Sequence, residues 1–184
     1  MSARFDPALL PLAPDLSFEQ ALWAAGVSRV AGIDEAGRGP LAGPIAVSVV
    51  ILPAEVDLVE RLTGVRDSKQ MTPAQRAAAC PRILVTALGT AVGFAEAAEI
   101  DELGIMPATR LAAWRALQAL EQRPEHLLLD YLFLPDLDLP QTALIKGDRR
   151  SLSIAAASVL AKTARDARMA ALDEEYPGYG FARH

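Results

Sequence analysis

Apolar residues recur along this chain in two patterns, short runs of strand length and longer stripes at helical spacing. The β-branched run Ile45 to Ile51, stopped by Pro53, predicts a strand, and the shorter run Arg29 to Asp34 predicts one before it. Together the two suggest a hairpin around a glycine-rich turn. Thr90 to Ala98, rich in small residues, reads as a third strand, His126 to Asp130 as a fourth, and Thr142 to Lys146 as a fifth that runs into Gly147 and Asp148. Between them lie helical signals. Ser17 and Gln20 make a capping-box pattern ahead of Phe18, Leu22 and Ala25, and this helix closes at Gly26. Thr72, Pro73 and Gln75 open a second helix that runs to about Ala87. Pro107 opens a third, with Leu111, Trp114, Leu117 and Leu120 on one face, a stripe read as core. From about Ser153 to Asp173 a long helix carries a small-residue face of Ala155, Ala156, Val159, Leu160 and Ala164. Its charges Lys162, Arg165 and Asp166 read as ordinary exposed side chains.

At 184 residues and 52% hydrophobic content the chain fits one α/β domain with a sizeable core. A net charge of −5 argues against nucleic-acid binding through bulk charge. A metal-dependent nuclease escapes this objection, because cations answer its acids and local Arg and Lys hold phosphates. Cys80 is the one cysteine, which excludes an intrachain disulfide and a cysteine metal cluster and suits a reducing, cytoplasmic setting. His126 and His184 lack zinc-ligand spacing. The proline-broken start does not read as a signal peptide, and the longest apolar run, Ile45 to Leu52, is far shorter than the roughly 20 residues a bilayer span needs.

The candidate chemistry lies at strand ends. In VAGIDEAGRGPLAG, residues 30–43, a strand delivers Asp34 and Glu35 into a turn containing Gly37, Arg38 and Gly39. Adjacent carboxylates repel unless a cation screens them, and Mg²⁺ favours such oxygen ligands together with substrate phosphates. Glycines on both sides of Arg38 let the main chain approach a ligand, while its guanidinium forms a planar fork for phosphate. Asp130 and Asp148 also end strands, and ligands bind open α/β sheets at the strands' carboxyl ends. Each feature has a plainer reading too. Acids before Gly and Pro suit an ordinary turn, Asp130 suits a loop cap, and Asp67-Ser68-Lys69 suits a turn ahead of a helix.

Taken together, GIDEAGRGPLAGP, the DSK at residues 67–69, LLLD, IKGD and SIAAASVLAKTARD resemble, in order, the motifs of ribonuclease HII, the type 2 ribonuclease H family. The resemblance spans almost the whole chain. It implies a ribonuclease H-like α/β fold, a five-stranded mixed sheet flanked by helices, antiparallel at first and parallel later. It implies four metal-binding catalytic acids, Asp34, Glu35, Asp130 and Asp148, holding two divalent ions, Mg²⁺ or Mn²⁺. Gly37, Arg38, Gly39 and Lys69 would bind substrate, the glycine turn reading the ribose 2′-hydroxyl and Lys69 facing the backbone. On this view Gly37→Ala or Gly39→Ala should harm recognition more than folding. The activity implied is endonucleolytic hydrolysis of RNA in RNA/DNA hybrids and at ribonucleotides embedded in duplex DNA, leaving 5′-phosphate and 3′-hydroxyl ends. A monomer is expected.

Three positions depart from the family pattern. Gly104 stands where the family usually has Asn, and Tyr131 where it often has Gly after the third acid. In the family the YGF segment leads to a His and then a Gly-Tyr pair whose tyrosine stacks at the RNA–DNA junction; this sequence stops at His184, so that tail is expected to be absent. Tyr176 and Tyr179 precede the matching position and receive no such role. Two rivals remain in view. A resolvase-like DNA nuclease of similar fold is disfavoured by the Gly-Arg-Gly turn, and a non-catalytic hybrid-binding module by the four acids.

Overall fold

The computed structural model describes residues 10–183, so the first nine residues, which begin the proline-broken start, and His184 lie outside the description. Five strands form one sheet in the order β3-β2-β1-β4-β5. They are β1 (Val30–Ala36), β2 (Ile45–Ile51), β3 (Gly89–Ala95), β4 (His126–Asp130) and β5 (Gln141–Leu144). β1, β2 and β3 pair antiparallel as a meander, while β4 runs parallel to β1 and β5 parallel to β4. The mixed sheet expected from the sequence is therefore present. The antiparallel hairpin needs only the loop 37–44, whereas each parallel pair needs a crossover.

The helices are α1 (Ser17–Ala24), α2 (Leu58–Arg61), α3 (Pro73–Thr86), α4 (Ala97–Leu103), α5 (Ile105–Ala119) and α6 (Leu152–Glu175). One face of the sheet packs on α6 and α3, through Val50, Leu52, Ile83, Ala155 and Val159. The other packs on α5, through Ile33, Val47, Val49, Leu127 and Leu129 against Ala108, Ala112 and Ala116. Side chains alternate along a strand, so Gly32 and Asp34 project toward α6 while Ile33 and Glu35 project toward the α5 side. Gly32 permits the close contact with α6: a Cβ there would lie 2.2 Å from the Ser153 carbonyl carbon. The start of α6 is fixed by Glu19, a buried carboxylate that accepts from Ser151 Oγ at 2.6 Å, Ser153 Oγ at 2.6 Å and Ser153 N at 2.9 Å. An acid at this helix end also suits its positive dipole.

Several local expectations are corrected. Ser17 is the first residue of α1 and its N–H is taken by Asp15 Oδ1 at 2.9 Å, so no Ser17–Gln20 capping box forms. The reciprocal cap does occur at α3, between Thr72 and Gln75. The third strand stops at Ala95, because Glu96 and Glu99 form a capping box that starts α4. On α5 the small residues Ala108, Ala112, Ala113 and Ala116 face the sheet, and Trp114, 54% exposed, turns outward. Of the stripe read as core, Leu117 and Leu120 do pack against this cluster at its margin, and Trp114 is the residue that leaves it. A helix can approach a sheet more closely through alanines than through leucine and tryptophan.

Candidate active site

Three acids meet on the α6 face at the carboxyl edge of the parallel strands. Asp34 ends the buried part of β1, Asp130 is the last residue of β4, and Asp148 sits in the 3-10 turn Gly147–Arg149 between β5 and α6. The pairing Ile33↔Leu129 brings the next residues, Asp34 and Asp130, side by side. One carboxylate oxygen from each of Asp34, Asp130 and Asp148 lies within 4.8 Å of the other two. Asp130 is held by the Gly147 N–H, which donates to its Oδ1 at 2.7 Å. Two unit charges at that separation repel by roughly 3 kcal/mol at an effective dielectric of about 20, so the cluster calls for a counter-ion. Hard oxygen donors at this spacing suit a divalent cation such as Mg²⁺.

The titration behaviour follows from the crowding. Burial raises the pKa of Asp34 well above the carboxylate range, with Glu35, Asp130 and Asp148 adding to the rise. Burial likewise raises Asp130. Asp148 is pushed up to about 7 by burial and then by its neighbours Asp130 and Asp67. Lys69 loses some basicity to burial, but Asp34, Asp67, Asp148 and Glu35 outweigh that loss and hold its ammonium above its usual value. Lys69, Asp67, Asp130 and Asp148 line one cleft of about 350 Å³.

Glu35, the fourth predicted ligand, stands outside this trio. It is next to Asp34 in sequence and so points to the opposite side of the strand, where its Oε1 takes Arg38 Nη1 at 3.0 Å. Burial raises its pKa, and both Asp130 and Lys69 are close enough to influence it. Arg38 is therefore paired with an acid at the rim of the site. Around it, the loop 37–44 is clamped from below by Arg165, whose Nε donates to Pro44 O at 3.0 Å and whose Nη2 donates to Ala42 O at 3.0 Å.

Arg165 corrects the expectation of an exposed charge, since only 2% of it is accessible. Lys162 and Asp166 are also tied in: Lys162 donates to Asp166, and Asp166 Oδ2 accepts from Arg76 Nη2 at 3.1 Å. Arg76 in turn donates to Ser68 O at 3.1 Å and Met71 O at 2.7 Å, bracing the turn that carries Lys69. Two further residues, Asp67 of the DSK turn and Ser158, have roles here that the sequence alone does not assign. Asp67 caps that turn, accepting from Lys69 N at 2.9 Å, and Ser158 on α6 touches both Ser68, at 2.9 Å between hydroxyl oxygens, and the Asp34 carboxylate. A signal existed for Ser158, and for Arg165 too. Ile154, Ser158, Ala161, Arg165 and Met169 follow helical spacing, which puts Ser158 and Arg165 on the buried stripe.

A mixed sheet of this order, with acids converging beside the central strand and a long helix packed behind them, defines a ribonuclease H-like α/β protein. Within that class the assignment is specific: residues 31–184 match the family Ribonuclease HII, and the chain belongs to it. Ribonuclease HII of Synechococcus sp. (strain JA-3-3Ab) is 54% identical over 168 residues, which are 91% of this chain and 75% of that protein. Ribonuclease HII of Geobacillus kaustophilus (strain HTA426) is 53% identical over 169 residues, 92% of this chain but 63% of the relative, so this chain spans less than two thirds of that protein's length. Among solved structures, the ribonuclease H2 of Pyrococcus horikoshii OT3 is similar with a TM-score of 0.69 and 30% identity, over 83% of this chain and 79% of that one. Among the described residues, no helix is long and apolar enough to cross a membrane.

Proposed function

We propose that this chain is a metal-dependent endoribonuclease that hydrolyses the RNA strand of RNA/DNA hybrids and cuts at ribonucleotides embedded in duplex DNA. The observation that carries this reading is the trio of carboxylates within 4.8 Å of one another beside a glycine-rich loop, in a chain of the Ribonuclease HII family. Asp34, Asp130 and Asp148 would hold the metal, with Glu35 as the fourth ligand from across β1. Divalent cations, two in this reading and either Mg²⁺ or Mn²⁺, supply activation of the attacking water and neutralisation of charge on the leaving oxygen.

The chain's own groups do the rest. Lys69, kept protonated by the acids around it, offers a fixed positive charge to the scissile phosphate. Main chain at Gly37 to Gly39 approaches the ribose, whose 2′-hydroxyl separates RNA from DNA. Arg38 directs its guanidinium to a neighbouring phosphate while Glu35 fixes its position. Attack on phosphorus with loss of the 3′-oxygen, which takes up a proton, leaves a 5′-phosphate and a 3′-hydroxyl. In this reading the enzyme acts as a monomer in the cytoplasm, a setting with which the free thiol of Cys80 is compatible.

The test is incubation with a duplex carrying one ribonucleotide, in Mg²⁺, Mn²⁺ or chelator, beside an all-DNA duplex. Cleavage at the ribonucleotide alone, lost in chelator, is the expected result. Cleavage of all-DNA duplex would favour a resolvase-like nuclease, and tight binding without cleavage a hybrid-binding module.

A further inference from the structure

Among the described residues, two that are not glycine have positive φ, Tyr131 at 49° and Lys146 at 54°, and both line the cleft that contains Asp130 and Asp148. Left-handed backbone is uncommon for a bulky side chain, and strain of this kind persists where surrounding structure enforces it, most often at ligand sites. The enforcement is visible here: Tyr131 N–H donates to Leu144 O at 3.0 Å, locking the exit of β4 to the end of β5. Tyr131 is 70% exposed and Ile145, in the same cleft, is 42% exposed, so a tyrosine ring and an aliphatic side chain are both open to solvent immediately beyond the acids. Lys146 and Arg149 line the cleft with them. Exposed aromatic surface interleaved with cations is the chemistry that binds unpaired or splayed nucleotides, the ring taking a base and the cations its phosphates.

Resting on the function proposed above, we infer that Tyr131, Ile145, Lys146 and Arg149 form a subsite for the nucleotide flanking the scissile bond, which splays from the duplex on binding so that Tyr131 stacks on its base and Lys146 and Arg149 hold the adjoining phosphate. The subsite lies next to Asp130 and Asp148, whereas the Gly37 to Gly39 turn follows β1. It also gives the tyrosine a reason to occupy a position whose backbone favours glycine.

The experiment compares wild type with Tyr131→Phe, Tyr131→Ala and Tyr131→Gly on duplexes containing one ribonucleotide, either intact or with an abasic residue on one side of it or the other. Binding is read by fluorescence anisotropy without metal, and kcat and KM are read in Mg²⁺. Tyr131→Phe should bind within about twofold of wild type, while Tyr131→Ala should bind roughly tenfold more weakly, with KM raised and kcat unchanged. An abasic residue at one flanking position should weaken wild type by a similar factor and add nothing to the loss in Tyr131→Ala. Tyr131→Gly suits the left-handed backbone, so its thermal midpoint should not fall, yet it should bind as poorly as Tyr131→Ala; that result excludes misfolding as the cause. Wild-type affinity in both small variants, or an abasic penalty that survives them unchanged, overturns the subsite while ribonucleotide cleavage stands. Absence of ribonucleotide cleavage by wild type overturns the functional reading and the subsite with it.

Discussion

A Cβ placed on Gly37 would lie 2.6 Å from Nε of Arg165 and 2.6 Å from the Pro44 carbonyl oxygen. Gly37 also has φ +111°, outside the range other residues adopt comfortably. This glycine is therefore needed for folding of the loop as well as for any approach to the ribose. Gly37→Ala should lower stability by about 1–3 kcal/mol in urea denaturation, against the sequence-based expectation that recognition suffers first. Gly39 differs, because nothing lies within 4 Å of its would-be Cβ and its φ is not positive. Gly39→Ala should change stability by no more than about 0.5 kcal/mol, so any loss of cleavage there reports on recognition. Equal destabilisation by the two substitutions would contradict the clamp.

The acids should separate into two groups. Asp34→Asn and Asp130→Asn each remove a member of the carboxylate trio while keeping side-chain shape. Both should lose more activity than the roughly 10–100-fold typical of outer-shell changes at metal sites, with binding to metal-free hybrid retained. Glu35→Gln should weaken binding as well, because it also releases Arg38, its partner at 3.0 Å. Turnover at the wild-type rate in Asp34→Asn or Asp130→Asn would remove the basis for a metal centre here.

Much of this was legible in the chain, and the gaps have physical causes. β2 and β4 were bounded correctly because a β-branched run and an apolar run ending in an acid each have sharp edges. β3 was overextended because Ala95 to Ala98 has no periodicity that separates strand from helix, and only the Glu96–Glu99 cap settles it. Of the three acids read as strand ends only Asp130 is one: Asp34 lies two residues before the end of β1, and β5 stops at Leu144 instead of running to Lys146, which leaves Asp148 in the 3-10 turn that follows. Asp34 and Glu35 leave β1 on alternate sides, yet Glu35 stays within electrostatic reach of Asp34, Asp130 and Lys69, so sequence adjacency alone does not say how each acid approaches a shared cation. Arg165 has the charge of an exposed residue but a position on the buried stripe of α6, and the position decides its burial.

Ser158 links Asp34 to the turn bearing Lys69. Its Oγ lies 2.9 Å from Ser68 Oγ and accepts from Ser68 N at 3.3 Å, and its hydrogen bond to Asp34 offsets part of that acid's raised pKa. Ser158→Ala leaves those buried groups without a partner and should cost about 1–3 kcal/mol of stability. A purely structural role would end there. As a positioning residue it should also shift the acidic limb of the pH–rate profile to higher pH, since Asp34 would hold its proton more tightly. Cys in place of Ser158 keeps a weak donor and should restore the profile only in part. An unmoved profile in Ser158→Ala would limit the residue to packing.

The crowded acids also predict an inverted pH dependence of stability without metal. Asp148 titrates near 3.8 when unperturbed and at about 7 in the fold, so between those values the native state holds a proton that the unfolded chain releases. Stability changes with pH in proportion to protons bound by the unfolded state minus those bound by the native state, and this difference is negative. The contribution is fully present below pH about 4 and is lost as pH rises through about 7. Asp34, Glu35 and Asp130, all raised mainly by burial, push the same way. In chelator the thermal midpoint should therefore fall as pH rises from about 4 to about 8, and Asp148→Asn should flatten the decline. Added Mg²⁺ binds only the deprotonated carboxylates, so it should raise the midpoint clearly at pH about 8 and little at pH about 5. Thermal scans of wild type and Asp148→Asn, with and without Mg²⁺ at both pH values, give the comparison. An equal Mg²⁺ shift at the two pH values, or the same shift in Asp148→Asn, would place the cation somewhere other than among these three carboxylates.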